Sequence, residues 1–126
     1  MANILIIDDD ATHSDMAAQR LRRAGHDVSV HVGPFGATVA ASKPSIELIV
    51  LDVFMPALPG PDLLELLRKN WQVRASILLC SSMDPGPLAE LAKEYGADGH
   101  VSKSAGREEF LRAVEATLRR RASKKP

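Results

Sequence analysis

Polar residues able to do chemistry follow four of the apolar runs in this 126-residue chain. Asp8-Asp9-Asp10 follows Ile4–Ile7, Asp52 follows Leu48–Leu51, Ser81-Ser82 follows Ile77–Cys80, and Lys103 follows His100–Val101. Carboxylates gathered in a partly buried place repel one another strongly. A hard divalent cation among them relieves that repulsion, and oxygen-only donors with room for water suit Mg²⁺. Mg²⁺ held by one or two carboxylates is the usual companion of a phosphoryl group. A carboxylate can also attack phosphorus to form an acyl phosphate. A serine hydroxyl could donate to a phosphoryl oxygen, and a lysine could pair with it. The plainer alternative is a set of helix N-caps and solvated loop charges, which would suffice for a lone Asp.

The grouping has meaning only if the runs are strands of one sheet. Ile4–Ile7, Val28–Val32, Leu48–Leu51, Ile77–Cys80 and the short stretch at His100–Val101 are rich in Ile, Val and Leu. Such continuous runs predict strands buried on both faces. Helical spacing fills the intervals. Ser14–Ala24 sets Met16, Ala17, Leu21 and Ala24 on one side, and Pro61–Lys69, Pro87–Tyr95 and Glu108–Arg120 follow similarly. Gly25 and Gly96 stand where helix C-caps belong, and Pro61 and Pro87 suit first turns. The weakest helix is Phe35–Ser42, short and mostly Ala and Val. Strand followed by helix, five times over, predicts an α/β fold with a doubly wound parallel sheet and helices on both faces. Ligands in such sheets bind beyond the C-terminal strand ends, where strand order reverses. In the flavodoxin-like order 2-1-3-4-5, strands one and three meet there.

Composition is that of a soluble domain, with 45% hydrophobic and 25% charged residues. No apolar run is long enough to cross a bilayer, and the start lacks a signal peptide's basic region. Cys80 is the only cysteine. A cytoplasmic protein without disulfides is the expectation. Net charge is zero but uneven. Residues 119–126 hold five of the 16 basic residues, leaving 11 against 16 acidic ones, a net of −5 for the body. A solvated helix end explains the tail better than a nucleic-acid arm, because no aromatic or further basic patch accompanies it.

Ile4-Leu5-Ile6-Ile7-Asp8-Asp9-Asp10, Leu51-Asp52-Val53-Phe54-Met55-Pro56 with Gly60, Ser81, and Gly96-Ala97-Asp98-Gly99-His100-Val101-Ser102-Lys103 together resemble the bacterial response-regulator receiver domain. The likeness runs from about Ala2 to Leu118, which sets a receiver domain at 1–120 and a basic tail at 121–126. It implies that Asp52 is the phosphoacceptor, served by a sensor histidine kinase or phosphotransfer protein. It implies Mg²⁺ on Asp9, Asp52 and the Phe54 carbonyl, with Asp8 acting through water. Ser81 and Lys103 would bind the phosphoryl group and couple it to a face made of the fourth helix, fifth strand and fifth helix. Asp10 is read as a loop acid or cap. A downstream protein or an output domain would receive the signal, with no direct contact to nucleic acid or membrane. A homodimer through the fourth and fifth helices is a further possibility for which no motif speaks.

Some residues depart from the family pattern. His100 stands where an aromatic switch residue is usual, and its titration would give the switch a pH dependence. Ser104 replaces a proline that usually follows a cis bond, which predicts a trans Lys103–Ser104 bond and a less firmly held Lys103. Phe54 and Met83, bulky and apolar, flank the phosphoryl position and predict slow hydrolysis, although Met83 could equally serve as packing. A rival reading takes Asp8-Asp9-Asp10-Ala11-Thr12 as the D-x-D-x-T of a haloacid-dehalogenase-type phosphatase, but no later paired acidic motif appears. A receiver that docks partners without phosphate is a second rival.

Overall fold

The computed structural model describes residues 1–124, with side chains through Arg121. In chain order the elements are β1 (Asn3–Asp8), α1 (Ala11–Arg23), β2 (Asp27–Val32), α2 (Ala37–Ala41), β3 (Leu48–Asp52), α3 (Gly60–Lys69), β4 (Ser76–Ser81), α4 (Pro85–Tyr95), β5 (Gly99–Ser102) and α5 (Arg107–Lys124). All strand pairings are parallel, in the order β2-β1-β3-β4-β5. The expected topology is therefore the one observed. Lys125 and Pro126 of the expected tail lie outside the described residues, and α5 runs as far as Lys124.

Alternation along the central strands explains why their apolar runs are unbroken. Leu5 and Ile7, Ile49 and Leu51, and Ile77 and Leu79 pack with Leu63, Leu64 and Leu67 of α3 and Leu88 of α4. Ile4 and Ile6, Leu48 and Val50, and Leu78 and Cys80 pack with Ala17 and Leu21 of α1 and Phe110 and Val114 of α5. Each central strand thus buries both faces, as parallel strands between two helical layers must. Burial also pushes the Cys80 thiol up to about 12, so it stays protonated near neutral pH.

Local sequence sets the ends of the helices. Asp10 caps α1, its carboxylate accepting from the Thr12 and His13 amides. Gly96 ends α4 with φ of 72°, a left-handed conformation that costs glycine little.

The structure corrects the reading in four places. β2 is an edge strand with no buried residue, so its apolar run is not covered on both faces. On α1 the buried face is Ser14, Ala17, Ala18 and Leu21, while Met16 and Ala24 are exposed. Helices α1, α3, α4 and α5 start one to three residues before the apolar spacing did, because the cap and first turn are polar or proline. Conversely, α2 shrinks to Ala37–Ala41 because Gly36, at φ of 79°, interrupts the chain after an exposed Phe35.

Candidate functional site

Strands β1 and β3 end side by side, and each ends in a carboxylate. Asp8 and Asp52 are both buried, at 2% and 1% exposure. They continue the even-numbered positions that face α1 and α5, whereas Ser81 continues the odd positions of β4 that face α3 and α4. Asp9 follows on the exposed side. Carboxylate oxygens of Asp8, Asp9 and Asp52 all lie within 4.8 Å of one another. Lys103, just past β5, lies 3.1 Å from Asp52 Oδ1 and 3.4 Å from Asp8 Oδ1.

The backbone fixes these groups. Lys103 N–H donates to the Ser81 carbonyl at 2.7 Å, and Val53 N–H to the Cys80 carbonyl at 3.1 Å. Phe54 N–H donates to Asp52 Oδ1 at 3.2 Å. Gly60 begins α3 directly over the end of β3, where an added Cβ would lie 2.2 Å from the Asp52 carbonyl oxygen. That approach admits only glycine, and it accounts for the glycine in the motif. No cis peptide occurs among the described residues, so Lys103–Ser104 is trans. Lys103 is nonetheless held by two carboxylates, contrary to the looser placement expected of it.

His13 was passed over in the sequence. Its Nδ1 lies 2.8 Å from Asp8 Oδ2. A signal existed: Asp10 is the N-cap, so His13 occupies N3, the position whose side chain folds back over a helix start. Asp8 is thereby surrounded, since the Asp10 N–H also donates to its Oδ1 at 2.9 Å.

Electrostatics divides the two buried acids. Burial, then the Asp8 charge beside it, pushes the Asp52 carboxyl up to about 7, with Lys103 opposing. Burial would raise Asp8 as well, but hydrogen bonds from His13 and the Asp10 N–H outweigh it and hold Asp8 at about 2. Burial would lower Lys103, and the contact with Asp52 overrides this and raises it. Asp52 Oδ2 is buried with no hydrogen-bond partner among the described residues. An orphaned carboxylate oxygen among three acids is the donor set a hard divalent cation fits.

The other candidates lie around this core. Ser81 is fully buried, and its Oγ accepts the Met83 N–H at 3.1 Å. Phe54 is 55% exposed beside Asp52. Met83 packs partly buried against the α3–α4 core. His100 is exposed on β5 and is not brought to the carboxylates. Asp10 is occupied as a cap, which removes the acid/base that the phosphatase reading required.

A doubly wound sheet with an acid pocket and a lysine at its switch point defines a phosphoacceptor switch domain. The family model for the response regulator receiver domain matches residues 4–115, and the chain belongs to that family. Receiver domains are the phosphorylation-operated switches of two-component systems. The sensory transduction protein RegX3 of Mycobacterium tuberculosis is 26% identical over 120 residues, covering 95% of this chain and 52% of that protein. The DNA-binding dual master transcriptional regulator RpaA of Synechocystis is 32% identical over 123 residues, covering 95% and 50%. The chain spans about half the length of the curated relatives it matches. Among solved structures, a CheY-like receiver domain from Methanospirillum hungatei superposes with a TM-score of 0.87 at 20% identity, covering 99% of both chains. Chemotaxis protein CheY4 of Vibrio cholerae does so at 0.83 and 25%, covering 93% of this chain and 98% of that one. Among the described residues no helix is long and apolar enough to cross a membrane.

Proposed function

We propose that Asp52 is the phosphoacceptor of this receiver domain and that the acid pocket binds Mg²⁺ during transfer. The observation that carries the reading is Lys103 Nζ at 3.1 Å from Asp52 Oδ1, beside two further carboxylates. Asp9 and Asp52, with the Phe54 carbonyl, would hold the ion, and Asp8 would act through water. When bound, Mg²⁺ supplies positive charge against the carboxylates and phosphoryl oxygens.

A carboxylate oxygen of Asp52 attacks the phosphorus of a phosphohistidine on a kinase or phosphotransfer protein. The P–O bond forms, the P–N bond breaks, and the imidazole leaves with a proton. Lys103 orients the attacking carboxylate and then pairs with a phosphoryl oxygen. His13 fixes the Asp8 carboxylate that faces the site. Phosphorylation adds about one further negative charge at Asp52. Ser81 then releases the Met83 N–H and donates to the phosphoryl group, drawing the β4–α4 loop inward. Couplings of this kind are typically ~1–3 kcal/mol, enough to shift a population on the α4–β5–α5 face. That face carries the exposed His100 and would meet a downstream protein or an output domain.

Incubation with Mg²⁺ and acetyl phosphate, read by intact mass and peptide mapping, tests the reading. Wild type gains one phosphoryl group on Asp52, and Asp52→Asn gains none. Labelling of Asp8 or Asp9, or unchanged labelling of Asp52→Asn, overturns it.

A further inference from the structure

The opposite end of the sheet holds a second cavity that receiver chemistry does not use. It occupies about 290 Å³ between the α2–β3 loop, the α3–β4 loop and the end of α5. Its apolar wall includes Ala41, Ile46, Val73 and Ala75, all buried. Lys43, Arg74 and Arg121 also line it, and no acidic side chain does. Among the described residues none of these three cations has an ion-pair partner. Arg121 also borders a neighbouring cavity with Glu47 and Glu115, but those acids are engaged by the Asn3 N–H at 2.9 Å and by His26 at 3.1 Å.

Three independent features mark this cavity as built. Arg121 Nε is buried without a hydrogen-bond partner, a rarity in a folded protein that an anion would resolve. Gln72 on its rim has φ of 50°, the only non-glycine residue in the left-handed region among those described. Such backbone is uncommon, and outliers of this kind gather at ligand sites. The rim is also held rigid, because Arg68 Nη1 donates to the carbonyls of Val73 at 2.7 Å and Ala75 at 2.8 Å. Beside Gln72 stands Trp71, 45% exposed and the only tryptophan in the chain.

We propose that this cavity binds a nucleoside monophosphate. Unpaired arginines recognise phosphate by charge-assisted, bidentate hydrogen bonds. An exposed indole offers a stacking face for a base. An apolar wall with a few convergent polar groups is the make-up of a small-molecule site, and the volume suits a small nucleotide.

Trp71 makes the test direct. The full chain is titrated in EDTA with AMP, adenosine and inorganic phosphate at matched ionic strength, following tryptophan fluorescence. AMP quenches saturably, at least about tenfold more tightly than either half alone, since both contacts are then made. Arg74→Ala and Arg121→Ala each weaken AMP by roughly tenfold, the loss of one charge-assisted contact. Arg107→Ala, far from the cavity at the start of α5, leaves binding unchanged. Far-UV circular dichroism melts show that the variants fold, and Lys43→Ala replaces any that does not. A linear response, equal quenching by all three compounds, or equal affinity in Arg74→Ala and Arg107→Ala overturns the proposal.

Discussion

Replacing Asp52 by Asn should stabilise the fold at neutral pH, by an amount the structure bounds. Asp52 titrates at about 7 in the folded chain against 3.8 for an ordinary Asp. The folded state therefore binds its proton more tightly than the unfolded state does. Between those values the folded chain carries more protons, so stability falls as pH rises. The contribution is fully present below about pH 4 and gone above about pH 7, worth at most about 4 kcal/mol. Relaxation around the pocket reduces this, and a working expectation is about 2–3 kcal/mol. Asp8 moves in the opposite sense, from 3.8 to about 2. Its contribution is present above about pH 4 and lost below that, outside the Asp52 window. Asparagine cannot ionise, and its Oδ1 can still accept from Lys103 and the Phe54 N–H, as Asp52 Oδ1 does. Urea unfolding in EDTA between pH 4.5 and 8 should show wild type losing stability across the range while Asp52→Asn stays nearly flat. The variant leads most at pH 8, and saturating Mg²⁺ removes most of the gap in wild type. Parallel curves for the two proteins would refute the assignment of a buried, destabilising charge to Asp52.

Further expectations concern the surrounding shell. Gly60→Ala places a Cβ 2.2 Å from the Asp52 carbonyl; it should cost about 3 kcal/mol or more in urea unfolding and slow phosphorylation by acetyl phosphate. His13→Ala removes the hydrogen bond to Asp8 Oδ2 and should weaken Mg²⁺ binding by roughly tenfold or more in an NMR titration. It should also lower the melting midpoint at neutral pH, because the buried Asp8 carboxylate loses the contact that most holds it low. Phe54→Asn exchanges an exposed apolar cover for a polar side chain and should shorten the phospho-Asp52 half-life, read by intact mass over time. Asp98→Ala removes the acceptor shared by Arg68 Nη2 and the Ile77 N–H, each at 2.8 Å; it should cost about 2–3 kcal/mol, because a buried amide and a guanidinium lose their partner together.

The legible parts of this molecule are those where one local rule decides. Unbroken apolar runs at β1, β3 and β4 require cover on both faces, and only a sheet between two helical layers provides it. Short aliphatic runs ending in Asp8, Asp52 and Ser81 then fix which edge carries the chemistry. The edges of the sheet escape such rules. The run at Val28–Val32 is Val-rich, yet Ser29 and His31 interrupt it, and β2 has a neighbour on one side only. Met16 is the immediate neighbour of Ala17 and counts with the apolar set, but a helix of small residues packs through Ala17, Ala18 and Leu21 and leaves the longer side chain outside.

His13 and Arg121 show why polar sites are read less completely than cores. A carboxylate at a strand end is visible because its neighbours are uniformly apolar, whereas the imidazole that holds it belongs to the next element and is recognised only once Asp10 is known to be the cap. Arg121 is further removed, since it shares a cavity with Arg74 and Lys43 only because the sheet brings two loops and a helix end together. Its basic surroundings in the sequence pointed to solvent, because a run of cations at a helix C-terminus is explained by the dipole alone. The same cations become informative when an apolar wall, a tryptophan and a left-handed glutamine share their cavity. Acidic and basic ends of one neutral sheet thus carry opposite charge for different reasons. At the C-terminal edge, strand register forces carboxylates together and Lys103 partly compensates them. At the N-terminal edge, loop residues supply cations that no described acid compensates, which is why the first end calls for a cation and the second for an anion.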